Sequence, residues 1–309
     1  MKSSLKQKYL LIVAGPTAVG KTNIAIELAL HFKTEIVSAD SRQFYREMNI
    51  GTAKPSATEL ALIKHYFINN LSIEQEYTVG TYETEALALL DVLFQKYDVV
   101  ILVGGSGLFI KTLCEGLDTI PEVAPEVRKQ LNAEFEKEGL KPLLKELKEK
   151  DPTYYETVDK ANPVRVIRAL ELCRGTGMPF SSFRTSSKKE RSFQTIKIGL
   201  NLTREELYKR IEDRMEGMLA NGLIEEAKTF YSFRYLNALQ TVGYSEVFDY
   251  LDGQYDYEEM VALLKRNSRR YAKRQLTWFD KDKEYKWFEP SQKKEILEFI
   301  ESKILDDRF

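Results

Sequence analysis

Eight consecutive residues, Gly15-Pro16-Thr17-Ala18-Val19-Gly20-Lys21-Thr22, satisfy the pattern G-x-x-x-x-G-K-[ST] without a gap. Glycines at its ends let backbone N–H groups converge on phosphate oxygens. Lys21 brings a point charge to the outer phosphate, and the Thr22 hydroxyl suits Mg²⁺. The pattern predicts a diphosphate cradle over residues 15–22 with Thr22 as metal ligand. It does not by itself predict nucleotide hydrolysis. An NTPase of this type has an aspartate at the end of a second strand to hold the Mg²⁺ shell. The matching segment, DVVILVGGSG at 98–107, ends in glycines, and its one acid, Asp98, stands at the wrong end. A second candidate is Asp40, which closes the short apolar run EIVSAD. In an open α/β sheet, ligands sit at the carboxyl ends of strands, so Asp40 should face the phosphate site as a base or a metal-shell ligand. An aspartate there can equally cap a turn or helix. Ser106, in the turn Gly104-Gly105-Ser106-Gly107, opens on the same edge.

The elements that must position these residues read as β-loop-α-β. YLLIVAG is a buried strand ending in glycine, TNIAIELALHF a helix, and EIVSAD a second strand. Residues 84–97 read as a helix and 98–103 as another strand. Strands alternating with helices predict an α/β fold, a P-loop NTPase-like parallel sheet with helices on both faces. The pattern changes after Gly116. A proline-bearing linker leads into a helical stretch over 125–174, and a polar loop covers 175–192. Alternation resumes in TIKIGLNL, where Ile196, Ile198, Leu200 and Leu202 share a face. The expected division is a catalytic core over 1–116 and 195–309, with C-terminal helices, and a helical insertion over 117–194. Thr203 with Glu206 predicts a capping box. The following helix carries the apolar stripe Leu207, Ile211, Met215 and Met218, with Gly222 as its stop.

The 309-residue chain has a net charge of −1, 43% hydrophobic and 30% charged residues, so any nucleic-acid surface must be local. One stretch qualifies. Residues 262–275 hold six basic side chains and no acid, and at helical spacing Arg266, Arg270, Lys273 and Arg274 share a face suited to a phosphate backbone. Arg165 with Arg168, and Arg210 with Arg214, form further pairs on helices. Each has a glutamate in reach, Glu171 and Glu206, so ion pairing is an equal alternative. Cys114 and Cys173 have neither metal nor disulfide spacing. The apolar run Tyr9–Ala14 is too short to span a bilayer, and a cytoplasmic protein without membrane contact is expected.

Together these residues resemble the tRNA dimethylallyltransferase (tRNA isopentenyltransferase) family in its short bacterial form. The resemblance rests on GPTAVGKT, Asp40-Ser41-Arg42-Gln43-Phe44-Tyr45, Ile50-Gly51-Thr52-Ala53-Lys54-Pro55, GGSGLF at 104–109, NPVRVIRALEL at 162–172, RIEDRMEGML at 210–219, TVGYSEV at 241–247 and AKRQLTWF at 272–279. Ser106 and Phe109 stand where the family usually has threonine and tyrosine, and Asn69 where it has an aspartate. The resemblance implies transfer of a dimethylallyl group from dimethylallyl diphosphate to N6 of the adenine 3′ of the anticodon, in tRNAs reading codons that begin with U. It implies that Lys21 and Arg214 act on the diphosphate with Mg²⁺, and that Asp40 takes the N6 proton. It implies tRNA contacts from Asp40, Ser41, Arg42, Gln43, Ser106, Arg128, Arg165 and Arg168, with the insertion gripping the anticodon stem-loop. A monomer is expected. Two other readings fit the phosphate loop: a small-molecule kinase and a prenyltransferase acting on free adenylate.

Overall fold

The computed structural model describes residues 7–185 and 188–306. The chain divides into two compact units, Met1–Cys114 with Glu190–Phe309, and Glu115–Lys189. In the first unit six parallel strands form one sheet in the order β3-β2-β4-β1-β5-β6. They are β1 Tyr9–Ala14, β2 Ile36–Ser38, β3 His65–Tyr66, β4 Val99–Gly104, β5 Gln194–Leu200 and β6 Lys286–Phe288. Central β1 pairs with β4 and β5, and all six of its residues are buried. That is why it reads as an unbroken apolar run rather than an alternating one.

Helices cover both faces. On one face Leu10 and Ile12 pack with Val100 and Leu102; on the other Leu11 and Val13 pack with Ile101, Val103 and Ile198. The helices of this unit are α1 Lys21–Phe32, α2 Ala57–Leu62, α3 Val79–Leu93, α4 Gly107–Glu115, α9 Arg204–Ala220, α10 Leu223–Thr229, α11 Tyr244–Leu251, α12 Tyr257–Phe279 and α13 Lys293–Asp306. The α/β sheet expected from the sequence is what forms. Strands β3 and β6, of two and three residues, are too short to leave a periodic signal. Thr203 accepts the Glu206 N–H at 3.3 Å, which is half of the expected capping box. The stripe Leu207, Ile211, Met215 and Met218 is buried as its spacing predicts.

The second unit comprises α5 Pro125–Glu138, α6 Leu140–Lys150, α7 Pro152–Thr157 and α8 Pro163–Thr176. Its own core gathers Leu131, Leu143, Leu147, Val166 and Leu170. Arg174 joins α8 to α5 and α6 by donating to both Glu134 and Glu146.

Candidate active site

Three connections at the carboxyl edge of the sheet, after β1, β2 and β4, build the site, and close backbone packing sets their positions. Gly15 ends β1 at φ 150°, and a Cβ there would lie 2.5 Å from the Leu200 carbonyl of β5. A Cβ at Gly104, which ends β4, would lie 2.2 Å from the Ala39 carbonyl beside β2. Glycine at these two points brings the phosphate loop, the Asp40 turn and the Ser106 turn together. Ala18 within the loop takes φ 64°, a conformation uncommon for a residue with a side chain. Ser106 Oγ accepts the Ser41 N–H at 3.0 Å and donates to Ser41 Oγ at 3.2 Å, tying the second and third of these turns.

The phosphate loop opens into a cavity of about 420 Å³ lined by Thr17, Ala18, Lys21, Thr22, Asp40, Arg210, Arg214 and Tyr271. A narrower cavity of about 80 Å³ continues from it past Asp40, Thr52, Ala53 and Arg214 to Ile211, Met215, Met218, Thr241 and Val242. Asp40 lines both, and in the narrower one it shares the wall with charged Arg42 and Arg214 and with an apolar side of Ile211, Met215, Met218 and Val242. Lys21 donates to the Pro16 carbonyl at 2.7 Å, and burial lowers its pKa to about 8, with Asp40 pulling it up and Arg214 pushing it down. An anion in the cavity would stabilise the ammonium and raise that pKa again. Burial likewise lowers the Arg214 pKa, with Asp40 raising it, and raises that of the Tyr271 phenol.

Of the two readings of Arg210, the ion pair with Glu206 does not form among the described residues. Both arginines of α9 turn to the phosphate loop, Arg210 donating to the Val19 carbonyl at 3.5 Å and Arg214 to Thr17 Oγ1 at 3.4 Å. Asp40 does serve a turn, as its alternative reading allowed. Its Oδ1 accepts the Arg42 N–H at 3.1 Å, and its carbonyl accepts from Gln43. That bond anchors one oxygen of a carboxylate whose residue lines both cavities.

Two of the candidate RNA-contact residues also brace the walls of the site. Arg42, which lines the narrower cavity, donates to the carbonyls of Asn237 at 2.8 Å, Ala238 at 3.2 Å and Gln240 at 3.4 Å. Gln43 Nε2 donates to the Thr52 and Ala53 carbonyls, holding the segment that walls the cavity. The Thr17 N–H is also unavailable to a phosphate, because it donates to Gln275 Oε1 at 2.8 Å.

Several site residues were given no role in the sequence reading. Gln275 of α12 also donates to the Gly105 carbonyl at 2.9 Å, and so joins the phosphate loop to the turn after β4. Tyr271 lies one turn before it. Glu226 accepts the N–H groups of Asn49, Ile50 and Gly51 and the Tyr244 hydroxyl, clamping the start of the Ile50–Lys54 segment. Gln275 and Tyr244 lie within AKRQLTWF and TVGYSEV, and those segments' resemblance to the family was their signal.

The basic stripe on α12 divides into two. Lys265 pairs with Glu216 and Arg269 with Glu212, lacing α12 to α9. Arg266, Arg270, Lys273 and Arg274 are exposed and make no ion pair among the described residues. In the second unit Arg128 and Arg168 share Glu171, at 3.3 and 2.9 Å, so the ion-pair alternative holds for Arg168. Arg165 is exposed there. The phenyl ring of Phe109 packs on Phe44 and Tyr82 without needing a hydroxyl.

A divalent cation of the Mg²⁺ type needs oxygen donors and keeps water and phosphate ligands. The Thr22 hydroxyl takes no hydrogen bond within the protein among the described residues, and it shares the cavity wall with the Asp40 carboxylate. These residues fit such an ion. No helix among the described residues is long and apolar enough to cross a membrane.

The IPP transferase family model matches residues 43–282. A tRNA dimethylallyltransferase of Cytophaga hutchinsonii is 55% identical over 301 residues, 97% of this chain and 99% of that one. One from Christiangramia forsetii is 53% identical over 96% of this chain and 98% of its own. Among solved structures, the tRNA isopentenylpyrophosphate transferase of Bacillus halodurans superposes with a TM-score of 0.72 at 35% identity, over 97% of this chain and 98% of that one. A eukaryotic dimethylallyltransferase acting on tRNA gives 0.75 at 26% identity, over 88% of this chain and 70% of its own. A phosphate loop bridged by a glutamine to the turn after β4, with a carboxylate lining the two cavities beside it, is thus the site of a chain that belongs to the IPP transferase family.

Proposed function

We propose that this protein transfers the dimethylallyl group of dimethylallyl diphosphate to N6 of the adenine 3′-adjacent to the anticodon, in tRNAs reading U-initial codons. The observation that carries this reading is the position of Asp40, on the wall of both the phosphate chamber and the narrower channel. The apolar side of that channel, Ile211, Met215, Met218 and Val242, suits an allyl group, which a phosphate-transfer enzyme does not carry. An allyl donor needs both chambers.

In this reading the loop N–H groups from Ala18 to Thr22 hold the diphosphate, with Lys21, Arg210 and Arg214 around it. Their positive charge offsets the charge that develops on the leaving group. The channel holds the allyl group so that its first carbon lies beside Asp40. The adenine amine attacks that carbon, the carbon–oxygen bond breaks with both electrons going to diphosphate, and Asp40 takes the N6 proton. An exocyclic amine is a weak nucleophile, so orientation supplies much of the rate. Mg²⁺, held by Thr22 and the diphosphate, would add further charge stabilisation of the leaving group. The target adenine must leave its stack, which an anticodon loop permits at low cost. The exposed Arg266, Arg270, Lys273 and Arg274 supply backbone contacts to the tRNA, as do Arg128, Arg165 and Arg168 of the second unit.

The test is incubation of the purified protein with Mg²⁺, labelled dimethylallyl diphosphate and unmodified tRNA, followed by digestion to nucleosides. Label in N6-dimethylallyl adenosine from the position after the anticodon is expected. Transfer to free AMP in preference to tRNA, or phosphate transfer from ATP without prenylation, would replace the proposal with one of its rivals.

A further inference from the structure

Helix α12 turns a seam of six buried residues inward: Met260, Leu264, Ser268, Ala272, Gln275 and Phe279. Two of them are polar, and they differ in how they are satisfied. Gln275 is fully engaged, accepting from Thr17 and donating to Gly105. Ser268 is 3% exposed, and its Oγ has no hydrogen-bond partner. A serine inside a helix ordinarily discharges its hydroxyl on the carbonyl one turn back. An orphan hydroxyl in a core needs an explanation, and a ligand that completes it is one. Ser268 lines the narrow channel, in company with Ile211, Met215, Met218 and Val242.

Its position along the channel says what would meet it. Gln275 marks the phosphate end, through its bond to Thr17. Ser268 lies seven residues earlier on the same helix, about 10 Å along the axis at the α-helical rise per residue. Helix α9 repeats the order, with Arg210 and Arg214 at the phosphate loop and then Met215 and Met218 in the channel. The ion pairs Lys265–Glu216 and Arg269–Glu212 fix the two helices side by side. Ser268 therefore sits beyond the reacting carbon, where the far end of an allyl chain would lie.

We propose that Ser268 is a donor-selectivity residue, and that the channel accepts an allyl diphosphate hydroxylated on a terminal methyl as well as the plain dimethylallyl donor. This rests on the prenyl-transfer reading above. The transfer step is unchanged: the carbon–oxygen bond to diphosphate breaks with its electron pair, the N6–carbon bond forms, and the N6 proton passes to Asp40. The terminal hydroxyl is carried intact into the product. Ser268 Oγ can both donate to it and accept from it. A site built to pair a substrate hydroxyl discriminates strongly when either partner is removed.

The experiment is an equimolar competition between dimethylallyl diphosphate and its terminally hydroxylated analogue on unmodified tRNA, with the two prenylated nucleosides separated by mass. The wild-type protein is expected to form both. Ser268→Ala and Ser268→Val should lower the hydroxylated-to-plain ratio by about tenfold or more, and Ser268→Thr should retain it. The ratio is internal to each preparation, so it does not depend on how much of a variant folds, and the alanine change removes a single atom. Plain product alone from the wild type, or a ratio unmoved by both Ala and Val, overturns this proposal while leaving prenyl transfer standing. No prenylated nucleoside from either donor overturns the prenyl-transfer reading and this proposal with it.

Discussion

Gln275 Oε1 accepts the Thr17 N–H at 2.8 Å, across 258 positions of sequence. The same carboxamide donates to the Gly105 carbonyl at 2.9 Å, so one side chain joins the phosphate loop to the turn after β4. Gln275→Ala would leave a buried N–H and a buried carbonyl unpaired. A loss of about 2–4 kcal/mol in urea unfolding is expected, since each orphaned group costs about 1–3 kcal/mol. The donor Michaelis constant should rise as the loop loosens. An unchanged unfolding midpoint would show that the loop holds its shape without this bridge.

Lys21 stands in the ligand-free protein as a desolvated charge, with its pKa lowered to about 8. Lys21→Met should therefore stabilise the empty protein while removing the charge that meets the diphosphate. The gain is put at about 1 kcal/mol, well below the direct conversion of the shift, because the side chain keeps partial contact with solvent. Thermal unfolding without donor should move upward, and the stabilisation that added diphosphate gives the wild type should vanish. A variant that still gained diphosphate-dependent stability would take Lys21 out of the anion site.

The Asp40 carboxylate has two separable tasks, and one substitution parts them. Asparagine keeps an Oδ1 that can accept the Arg42 N–H, now at 3.1 Å, so the turn survives. It cannot take a proton from an incoming amine. Asp40→Asn should unfold at the wild-type temperature, bind tRNA normally and turn over roughly two to four orders of magnitude more slowly, the usual range for loss of a general base. Turnover within a few-fold of wild type would remove the base role.

The sequence made the local parts of this site legible and hid the distant ones. The phosphate loop, the α9 stripe and the strand-end position of Asp40 are set by spacing within a few residues, where periodicity and loop chemistry act. Gln275, Tyr271 and Glu226 work through partners far away in sequence, and only the packing of α12 and α10 brings them in. Arg42 and Gln43 show the same limit. Their residue types suit RNA, but the carbonyls of Asn237, Ala238, Gln240, Thr52 and Ala53, to which they also donate, are invisible before the chain folds.

The division of the α12 charges yields a prediction in salt dependence. Arg266 and Arg270 are exposed, whereas Lys265 and Arg269 are occupied by Glu216 and Glu212. Replacing Arg266 and Arg270 together with glutamine should weaken tRNA binding and flatten the plot of log affinity against log salt by about 1.4–1.8, at about 0.7–0.9 per lost phosphate contact. The matching double change at Lys265 and Arg269 should leave that slope nearly unaltered. Equal slopes for all three proteins would move the tRNA path off this face.

Lys54 and Asn69 show what a departure from the family pattern does to the wall of the site. Lys54 Nζ donates to the Tyr45 carbonyl at 2.6 Å, to Asn49 Oδ1 at 3.2 Å and to Asn69 Oδ1 at 2.5 Å, all neutral oxygens. Burial lowers its pKa from 10.5 to about 8, against the pull of Glu226 and Glu47. Between those two values the unfolded chain holds more protons than the native one, so this lysine makes stability rise with pH across that window. Asn69→Asp would place a carboxylate in contact with the ammonium, at a backbone φ of 58° that aspartate tolerates about as well as asparagine. The native pKa should return toward its unfolded value, and the lysine's share of the alkaline rise should disappear. Stability at neutral pH should increase by about 0.5–1 kcal/mol, a modest figure because the pair is half-exposed and screened by solvent. Lys21 titrates over the same range in both proteins, so the difference between their unfolding curves from pH 7 to pH 10 isolates Lys54. Parallel curves would mean that the lysine already finds its compensation in Glu226 and Glu47.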